Sequence, residues 1–512
     1  MKPRLTLSLF FLLISVVTPQ PPTAAADDVA FASILISTQG LDYIKDLLIS
    51  EVLTSLIPLR IPQIKLSHNV PLLGNVVVLL SNVTIHQINV SESYITPGDS
   101  GINIIVSGAT ANLSLDWSYS YSYGWFIPYQ ISDRGTASVE VEGMQAGLTF
   151  GLRNQGGALK LSFLECGCFI RDLAIKVEGG TAWLYQWFVE AFVGQIESAV
   201  ETTITKKLKE EVLKLDSFLQ SFPREIPVDD VASLNVTFIN DPVLHNSSIA
   251  LEMDGLFTPR DQFWKAKSYL EHLQTFLCDD SSKMIGISID EAVFNSASTL
   301  YFEAGCLQWI LDKLPDRALL NTAGWRFIIP QLYKKYPNDD MNLNVSVASP
   351  PVLRISRQKI DVSVNVNFII NVLDGGEVMP VACILLELQA SGSVSIRGSN
   401  LGGKVKLGDF KMTLQWSKIG KLKMFLVQPV IWTVVETVLL PYVNARLWIG
   451  FPLPMIGGFT LEKAKISNLD SGLIICGDVA YRDLEYLARV RVRVSQGSVL
   501  SVHNFLFDNT AS

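Results

Sequence analysis

Catalytic side chains are what this sequence has least of. Histidine occurs five times in 512 residues, at His68, His86, His245, His272 and His503. No two of these stand at a metal-binding spacing such as H-E-x-x-H. The chain has no G-x-S-x-G nucleophile elbow, no glycine-rich phosphate loop and no dinucleotide fingerprint. Cys166 and Cys168 come nearest to a ligand pair, but two thiols without neighbouring ligands read better as strand residues. Glu210 and Glu211 sit on a solvated helix end. The expectation is therefore no enzyme, no metal and no cofactor.

Charge is also sparse. Charged residues make up 18% of the chain, and 41 Lys and Arg stand against 49 Asp and Glu, a net charge of -8. Residues 27–240 hold 13 basic against 23 acidic side chains, so the first half repels polyanions, and nucleic acid is not an expected partner. Cysteine is limited to six, which permits disulfides without making the fold depend on them. Cys278 with Cys306 is one possible long-range pair. Beyond the N-terminus no apolar run spans a bilayer well. The best, from Met424 to Val443, contains Pro429 and Glu436, and a carboxylate at mid-membrane depth is costly. A core helix is expected there.

What the chain has in abundance is apolar surface: 48% hydrophobic residues and a mean hydropathy of +0.30. Lys2 and Arg4 precede an apolar run from Leu5 to Val17 and then "TAAADD", the layout of a secretory signal cleaved after Ala26. The expected location is secreted and extracellular. Six N-x-S/T sequons, at Asn82, Asn89, Asn112, Asn235, Asn246 and Asn344, fit a glycosylated exported surface.

Hydrophobic periodicity alternates along the chain. "GLDYIKDLLISEVLTSLI" and the stretch from Thr181 to Leu215 place apolar residues at helical spacing. Between them, β-branched runs such as "VVVLLSNVTIHQINV" have period two and are broken by turn residues. The second half repeats the plan. Helices are expected from about Val293 to Leu314 and Thr322 to Tyr336, then strands, then a long apolar helix near Phe425 to Leu447. The organisation read is a signal at 1–26, a first unit at 27–217, a linker and central-sheet region at 218–259, a second unit at 260–480 and an extension at 481–512. The fold class is α+β, with each unit one highly curved antiparallel sheet closed by a long helix. A curled sheet under a helix encloses either a filled core or an acyl-chain tunnel, and the same residues serve both. Each buried methylene contributes about 0.8 kcal/mol in either case.

Two stretches stand out for surface chemistry. "DWSYSYSYGWFIPY" (Asp116 to Tyr129) has seven rings in fourteen residues and no Lys or Arg. It reads as a hairpin end whose rings either pack on one another or meet an interface between water and acyl chains. Lys404, Lys406, Lys411, Lys418, Lys421 and Lys423 fall within twenty residues, with Lys418 and Lys421 flanking a hairpin turn beside Trp416. They read as a solvated strand face or as phosphate contacts.

"GLDYIKDLL" (Gly40 to Leu48), "VFNSASTLYFEAG" (Val293 to Gly305), "PPVLRI" (Pro350 to Ile355) and "GFPLP" (Gly450 to Pro454) together resemble the bactericidal/permeability-increasing protein and lipopolysaccharide-binding protein family, most closely its plant members. The resemblance covers about residues 30–480. It implies an elongated boomerang of two barrel units joined by a central sheet, each with an apolar pocket for phospholipid. It implies lipopolysaccharide, through lipid A, as a further partner of the first unit, with transient membrane or micelle contact. By region, Leu41, Ile44, Leu48, Trp183, Trp187, Phe188 and Phe192 are the pocket candidates of the first unit. Phe302, Leu307, Ile431, Val435 and Leu439 are those of the second. The animal members pair a strand cysteine with one on the long helix. Cys166 and Cys168 lie in the matching strand but "TKKLKEEV" has no cysteine, so that bond is expected to be absent. The family's basic hairpin tip corresponds here to Trp117, Tyr119, Tyr121, Tyr123, Trp125 and Phe126, which implies a membrane-facing or lipid A-facing tip that keeps the hairpin and loses its charge.

Overall fold

The computed structural model describes residues 29–481 apart from 71–73, 124–128, 179–181, 261–277, 279, 281, 315 and 456–457. The expected secretory signal and most of the expected terminal extension lie outside the described residues. The helices are α1 (Thr38–Leu56), α2 (Ala182–Gln220), α3 (Glu291–Glu303), α4 (Pro330–Lys335), α5 (Met424–Val434) and α6 (Leu440–Ile449), and a π turn over Val435–Leu439 joins the last two.

Two short apolar strands of matching design meet at the centre. Ala32–Ser37 and Ile285–Asp290 pair antiparallel, from Ala32 opposite Ile289 to Ile36 opposite Ile285. Each runs directly into a helix through a side-chain cap. The Ser37 hydroxyl accepts from Gly40 N at the start of α1, and the Asp290 carboxylate accepts from Ala292 N at the start of α3; each satisfies a helix N–H that has no partner within the helix. Gly40 is required by space, because a Cβ there would stand 2.3 Å from the Met284 carbonyl oxygen. The same helix is fastened to the first sheet by Lys45, which is buried, donates to Ser93 O at 3.0 Å and lies 3.3 Å from both Asp42 and Asp46.

Around this pair the central sheet is palindromic. Its order is Val243–His245, Ser248–Met253, Ala32–Ser37, Ile285–Asp290, Gly472–Tyr481 and Phe459–Leu469. The first strand of each unit therefore lies in the middle, flanked by the hairpin Val243–Met253 of the region between the units on one side and by the hairpin Phe459–Tyr481 on the other. The repeat read in the hydrophobic pattern is present in three dimensions.

Outward from the centre each unit builds one long antiparallel sheet. The first has eight strands, including Gly74–Asn89, Gly101–Tyr123 and Tyr129–Gln155. The second has seven, including Ile360–Asp374, Glu377–Arg397 and Asn400–Ser417. Register shifts at Val106/Ala109, Thr149/Phe150 and Leu388/Ala390 insert extra residues into the ladders, and such bulges bend and twist strands of this length. In the first unit Phe192, Ile196, Val200 and Ile204 recur every fourth residue of α2. They pack fully buried onto Val76, Val78, Leu80, Leu113 and Val139. In the second, Val427, Ile431, Val434 and Val435 do the same against Leu343, Phe368, Ile370 and Ile384. A third cluster lies between the barrels and joins the central sheet to the inner ends of both. The run Met424–Ile449 is long and apolar enough to cross a membrane by length and composition. It packs one face into the second barrel and leaves Thr433 and Glu436 exposed.

Three expectations are corrected. The helix expected from Val293 to Leu314 ends at Glu303. Gly305 takes φ +70, a left-handed conformation that glycine adopts without steric cost, and the apolar residues beyond it form the strand Gln308–Leu311. The segment from Thr322 to Tyr336 is a short 3-10 turn followed by α4, not one helix. Finally, Cys278 pairs with Cys476 and not with Cys306, which is a free, exposed thiol. The bond ties the approach to Ile285–Asp290 onto the neighbouring strand Gly472–Tyr481, across 198 residues of sequence.

Closing so long a loop restricts the unfolded chain, and the expected contribution to stability is about 2–5 kcal/mol. Cys476→Ser should lower the unfolding midpoint in denaturant by a corresponding amount, whereas Cys306→Ser should leave it within error. Peptide mapping under non-reducing conditions should recover the Cys278–Cys476 pair.

Candidate lipid-binding site

The ring-rich strand faces inward. Gly101–Tyr123 alternates sides, and its rings fall on the same side as Leu113 and Leu115. Trp117 is 4% and Tyr119 8% exposed. Their rings stack at 6.1 Å, and Tyr119 and Tyr121 stack at 6.3 Å. Trp117 Nε1 donates to Thr136 O at 3.1 Å, so its one polar atom is satisfied indoors. The expectation that Trp117 and Tyr119 form a membrane-facing tip is therefore corrected: they line the inner wall of the first barrel. The physical reason is register. Leu80 pairs with Trp117 and Val78 with Tyr119, both inside, and a strand cannot turn one residue outward without turning its whole row. Tyr121 is half-buried against the same cluster. The side chain of Tyr123, and Trp125 and Phe126 entirely, lie outside the described residues.

The pocket candidates of the first unit belong to two separate clusters. Phe192 is fully buried in the barrel interior beneath the ring ladder. Leu41 is buried, with Ile44 and Leu48 half-buried, in the cluster between the barrels, against Ile102, Ile104 and Phe150 at the inner end of the first sheet. Trp183, Trp187 and Phe188 fall on α2, but their side chains lie outside the described residues. The second unit is divided in the same way. Ile431, Val435 and Leu439 line the barrel interior. Phe302 and Leu307 are half-buried near the end of α3 and belong to none of the described clusters.

Composition hid a third feature. A small, wholly apolar cavity lies between the barrels, lined by Ala32, Leu234, Met253, Ile289, Val293 and Phe451. None of these was a candidate, although Val293 and Phe451 sit in two of the quoted motifs. All four motifs in fact converge on this junction. Leu41, Val293, Ile355 and Leu453 are buried in one cluster. Polar residues in and beside them fasten it: Leu353 N donates to Asn295 Oδ1 at 2.8 Å, Asn295 Nδ2 to Leu353 O at 3.0 Å, Ser298 Oγ to Pro351 O at 2.6 Å, and Ile355 N to Glu291 Oε2 at 2.7 Å.

The six lysines do not form one patch. Lys404 and Lys406 lie at the inner end of Asn400–Ser417, where Asn444 of α6 bonds both backbone atoms of Val405. Lys411 is paired with Glu387 at 3.7 Å. Lys418, Lys421 and Lys423 lie past the strand's far end, beyond a contour of roughly 40–45 Å along the strand from Lys404 at about 3.3 Å per residue. Nor do Lys418 and Lys421 flank a hairpin turn, since the segment leads directly into α5.

Asn82, Asn89, Asn112 and Asn246 are exposed, whereas Asn235 and Asn344 are half-buried. Asn235 Oδ1 already accepts from Thr237 N at 3.0 Å. Among the described residues no cluster of His, Cys, Asp or Glu could hold a metal ion.

Cys166 and Cys168 occupy the edge strand Ala158–Phe169 beside α2 as free thiols. Burial first, then the carboxylate of Glu201 and the neighbouring Cys166, push the Cys168 thiol up to about 12. Burial likewise raises Cys166, with Lys209 opposing it. The reactive species is the thiolate. A rise from 9.0 to about 12 thus leaves Cys168 protonated at neutral pH, with thiolate appearing only as pH approaches the raised value. In an alkylation time course at mildly alkaline pH, Cys168 should react about a thousandfold more slowly than an ordinary exposed thiol, Cys306 should react first, and denaturant should abolish the difference.

Comparison with known proteins follows this geometry closely. The N-terminal domain model of the LBP / BPI / CETP family matches residues 40–221 and the C-terminal domain model matches residues 227–481. A BPI/LBP family protein of Arabidopsis thaliana is 52% identical over 476 residues, 93% of this chain and 97% of that one. The bactericidal permeability-increasing protein of Sebastes schlegelii is 25% identical, over 86% of this chain and 93% of that one. The phospholipid transfer protein of Mus musculus is 23% identical, over 78% and 80%. Among solved structures, a crystal structure of lipopolysaccharide binding protein superposes with a TM-score of 0.60 at 20% identity, covering 89% of this chain and all of that one. With both halves matched in order, an α+β pair of curled sheets about a shared central sheet, and more than half of the residues shared with a plant relative over nearly the whole length, the chain belongs to the LBP / BPI / CETP family.

Proposed function

We propose that this is a secreted, extracellular lipid-binding protein that takes phospholipid into its apolar interior and binds bacterial lipopolysaccharide through lipid A, in defence against bacteria. The observation that carries the reading is the match along both halves to a family whose relatives include proteins named for lipopolysaccharide binding, bactericidal permeability increase and phospholipid transfer. The interior supports it. The wall beneath α2 presents stacked rings and aliphatic side chains, with the Trp117 indole N–H satisfied by the Thr136 carbonyl. An acyl chain that enters beside such a wall leaves water, which contributes about 25 cal/mol per Å² of its own apolar surface. Recognition of lipid A through its chains follows, with little help from charge in a first half that is net acidic. No reaction is assigned to the chain.

A second reading has its own support. Relatives named as phospholipid transfer proteins match at 22–23% identity, close to the 23–25% of relatives named for lipopolysaccharide or bactericidal action. The alternative is a carrier of phospholipid or other apolar molecules without a bacterial ligand.

Organic extraction of purified protein, followed by mass spectrometry, should recover phospholipid. Binding should be similar for intact lipopolysaccharide and for lipid A and absent for the free polysaccharide. Preference for the polysaccharide overturns the lipid A reading, and vesicle-to-vesicle transfer without lipid A binding decides for the carrier.

A further inference from the structure

The segment from Trp416 to Phe425 alternates in burial. Ile419 is 6% exposed, and Leu422 and Met424 pack on the same cluster inside the second barrel. Lys418, Lys421 and Lys423 point to solvent between them. At the two ends stand exposed rings, Trp416 at 39% and Phe425 at 70%, with Lys418 Nζ 5.7 Å from the Trp416 ring centre. The backbone is tethered on both sides: Lys418 N donates to Val381 O at 2.8 Å and Leu426 N to Lys423 O at 2.9 Å. The inward residues therefore hold the three ammonium groups and two rings outward on a fixed support.

The surroundings repeat this chemistry. Ser417 lies opposite Ala382, near the hairpin Asp374–Glu377, and Asp340 lies opposite Leu373. The cap carrying α4 is bonded at the same end through Asn321 and Thr322. On that cap Trp325 and Ile329 are buried, and between them Phe327 is 76% exposed with the Arg326 guanidinium 4.5 Å from its ring centre. Among the described ion pairs none involves Arg326, Lys418, Lys421 or Lys423. The carboxylates of Asp339, Asp340, Asp374 and Glu377 share this end, with Lys334 and Lys335 of α4 beside Arg326 to oppose them.

We propose that this outer end of the second unit is a docking surface for an anionic phospholipid bilayer, with Trp416, Phe425 and Phe327 entering the headgroup layer and Lys418, Lys421 and Lys423 at the level of the phosphates. Rings that are apolar in body suit the boundary between water and acyl chains. Unpaired lysines beside them add attraction to an anionic leaflet. Neither element alone selects such a surface. Rings without charge would meet any bilayer, and charge without rings would meet any polyanion. The assignment rests on the lipid-binding reading above but concerns a different surface, so the two are tested apart.

The test uses the full chain in sedimentation with vesicles of phosphatidylcholine alone, with vesicles also containing phosphatidylglycerol, and with lipopolysaccharide aggregates as a separate arm. Wild type should bind the anionic vesicles more tightly than the neutral ones and lose most of that preference at high salt. Removing the three charges together, as Lys418→Ala, Lys421→Ala and Lys423→Ala, should weaken anionic binding on the order of a hundredfold, at about fivefold per lysine. The corresponding Lys→Arg variant should retain it, and Lys404→Ala with Lys406→Ala should not change it. Trp416→Ser with Phe425→Ser should weaken binding at both salt concentrations. A charge-free variant that sediments like wild type, equal binding to neutral vesicles, or a loss confined to the lipopolysaccharide arm overturns the proposal. The lipid in the organic extract reports on the interior independently: its absence sinks the pocket reading while leaving the vesicle result to decide this one.

Discussion

The pairing of Ala32–Ser37 with Ile285–Asp290 is the constraint on which the remaining structure hangs. These are the first strands of two similar units, and their hydrogen bonds set the units' antiparallel relation. Everything lateral follows from that ladder. Each strand leads through its capping side chain into a helix, and each accepts a further strand on the free side, Ser248–Met253 on one flank and Gly472–Tyr481 on the other. A sheet made this way has no place for a polar side chain on its covered faces unless it is satisfied. Its buried polar residues are Ser33, Ser248, Ser288 and Asp290. Ser33 and Ser288 are buried directly opposite one another, and Asp290 is buried because it caps α3.

The motifs by which the family is recognisable belong to this junction and not to the barrel interiors. Gly40 is there because Met284 O leaves no room for a side chain. Asn295 and Ser298 are there because the backbone at 351–353 has donors and acceptors to satisfy. Such residues cannot drift without leaving a buried polar group unpaired, which costs about 1–3 kcal/mol. The barrel walls tolerate any apolar residue of suitable volume. Short motifs therefore report the architecture well and the ligand poorly, and the two should be argued from different residues.

That division also explains what was legible. The α1 and α3 starts, the curled sheets and the repeat were written in local periodicity, which needs no partner to be read. The face of a strand needs one. Period two told that Trp117, Tyr119 and Tyr121 share a side, and only the register with Val76, Val78 and Leu80 tells that the side is inward. Proximity in sequence misled twice. Six lysines within twenty residues are spread along an extended strand and its exit, so that Lys404 and Lys423 serve opposite ends of a barrel. Cys278 found Cys476 because the strands beside them are neighbours, a fact of topology that no spacing contains. The helix expected to Leu314 overran because apolar residues after Gly305 continue without pause while the backbone changes from one period to the other.

The central sheet also has a consequence for the order in which the protein can be made. Ala32–Ser37 leaves the ribosome before the first barrel, and its two partners follow only after that entire barrel has been synthesised. Until then "ASILIS" is an apolar strand with both edges open, and such a segment pairs readily with other chains. The first barrel has its own interior under α2 and can condense without it. Growth of the chain thus separates into an early folding unit and a seam that closes only once residues 248–290 have been made.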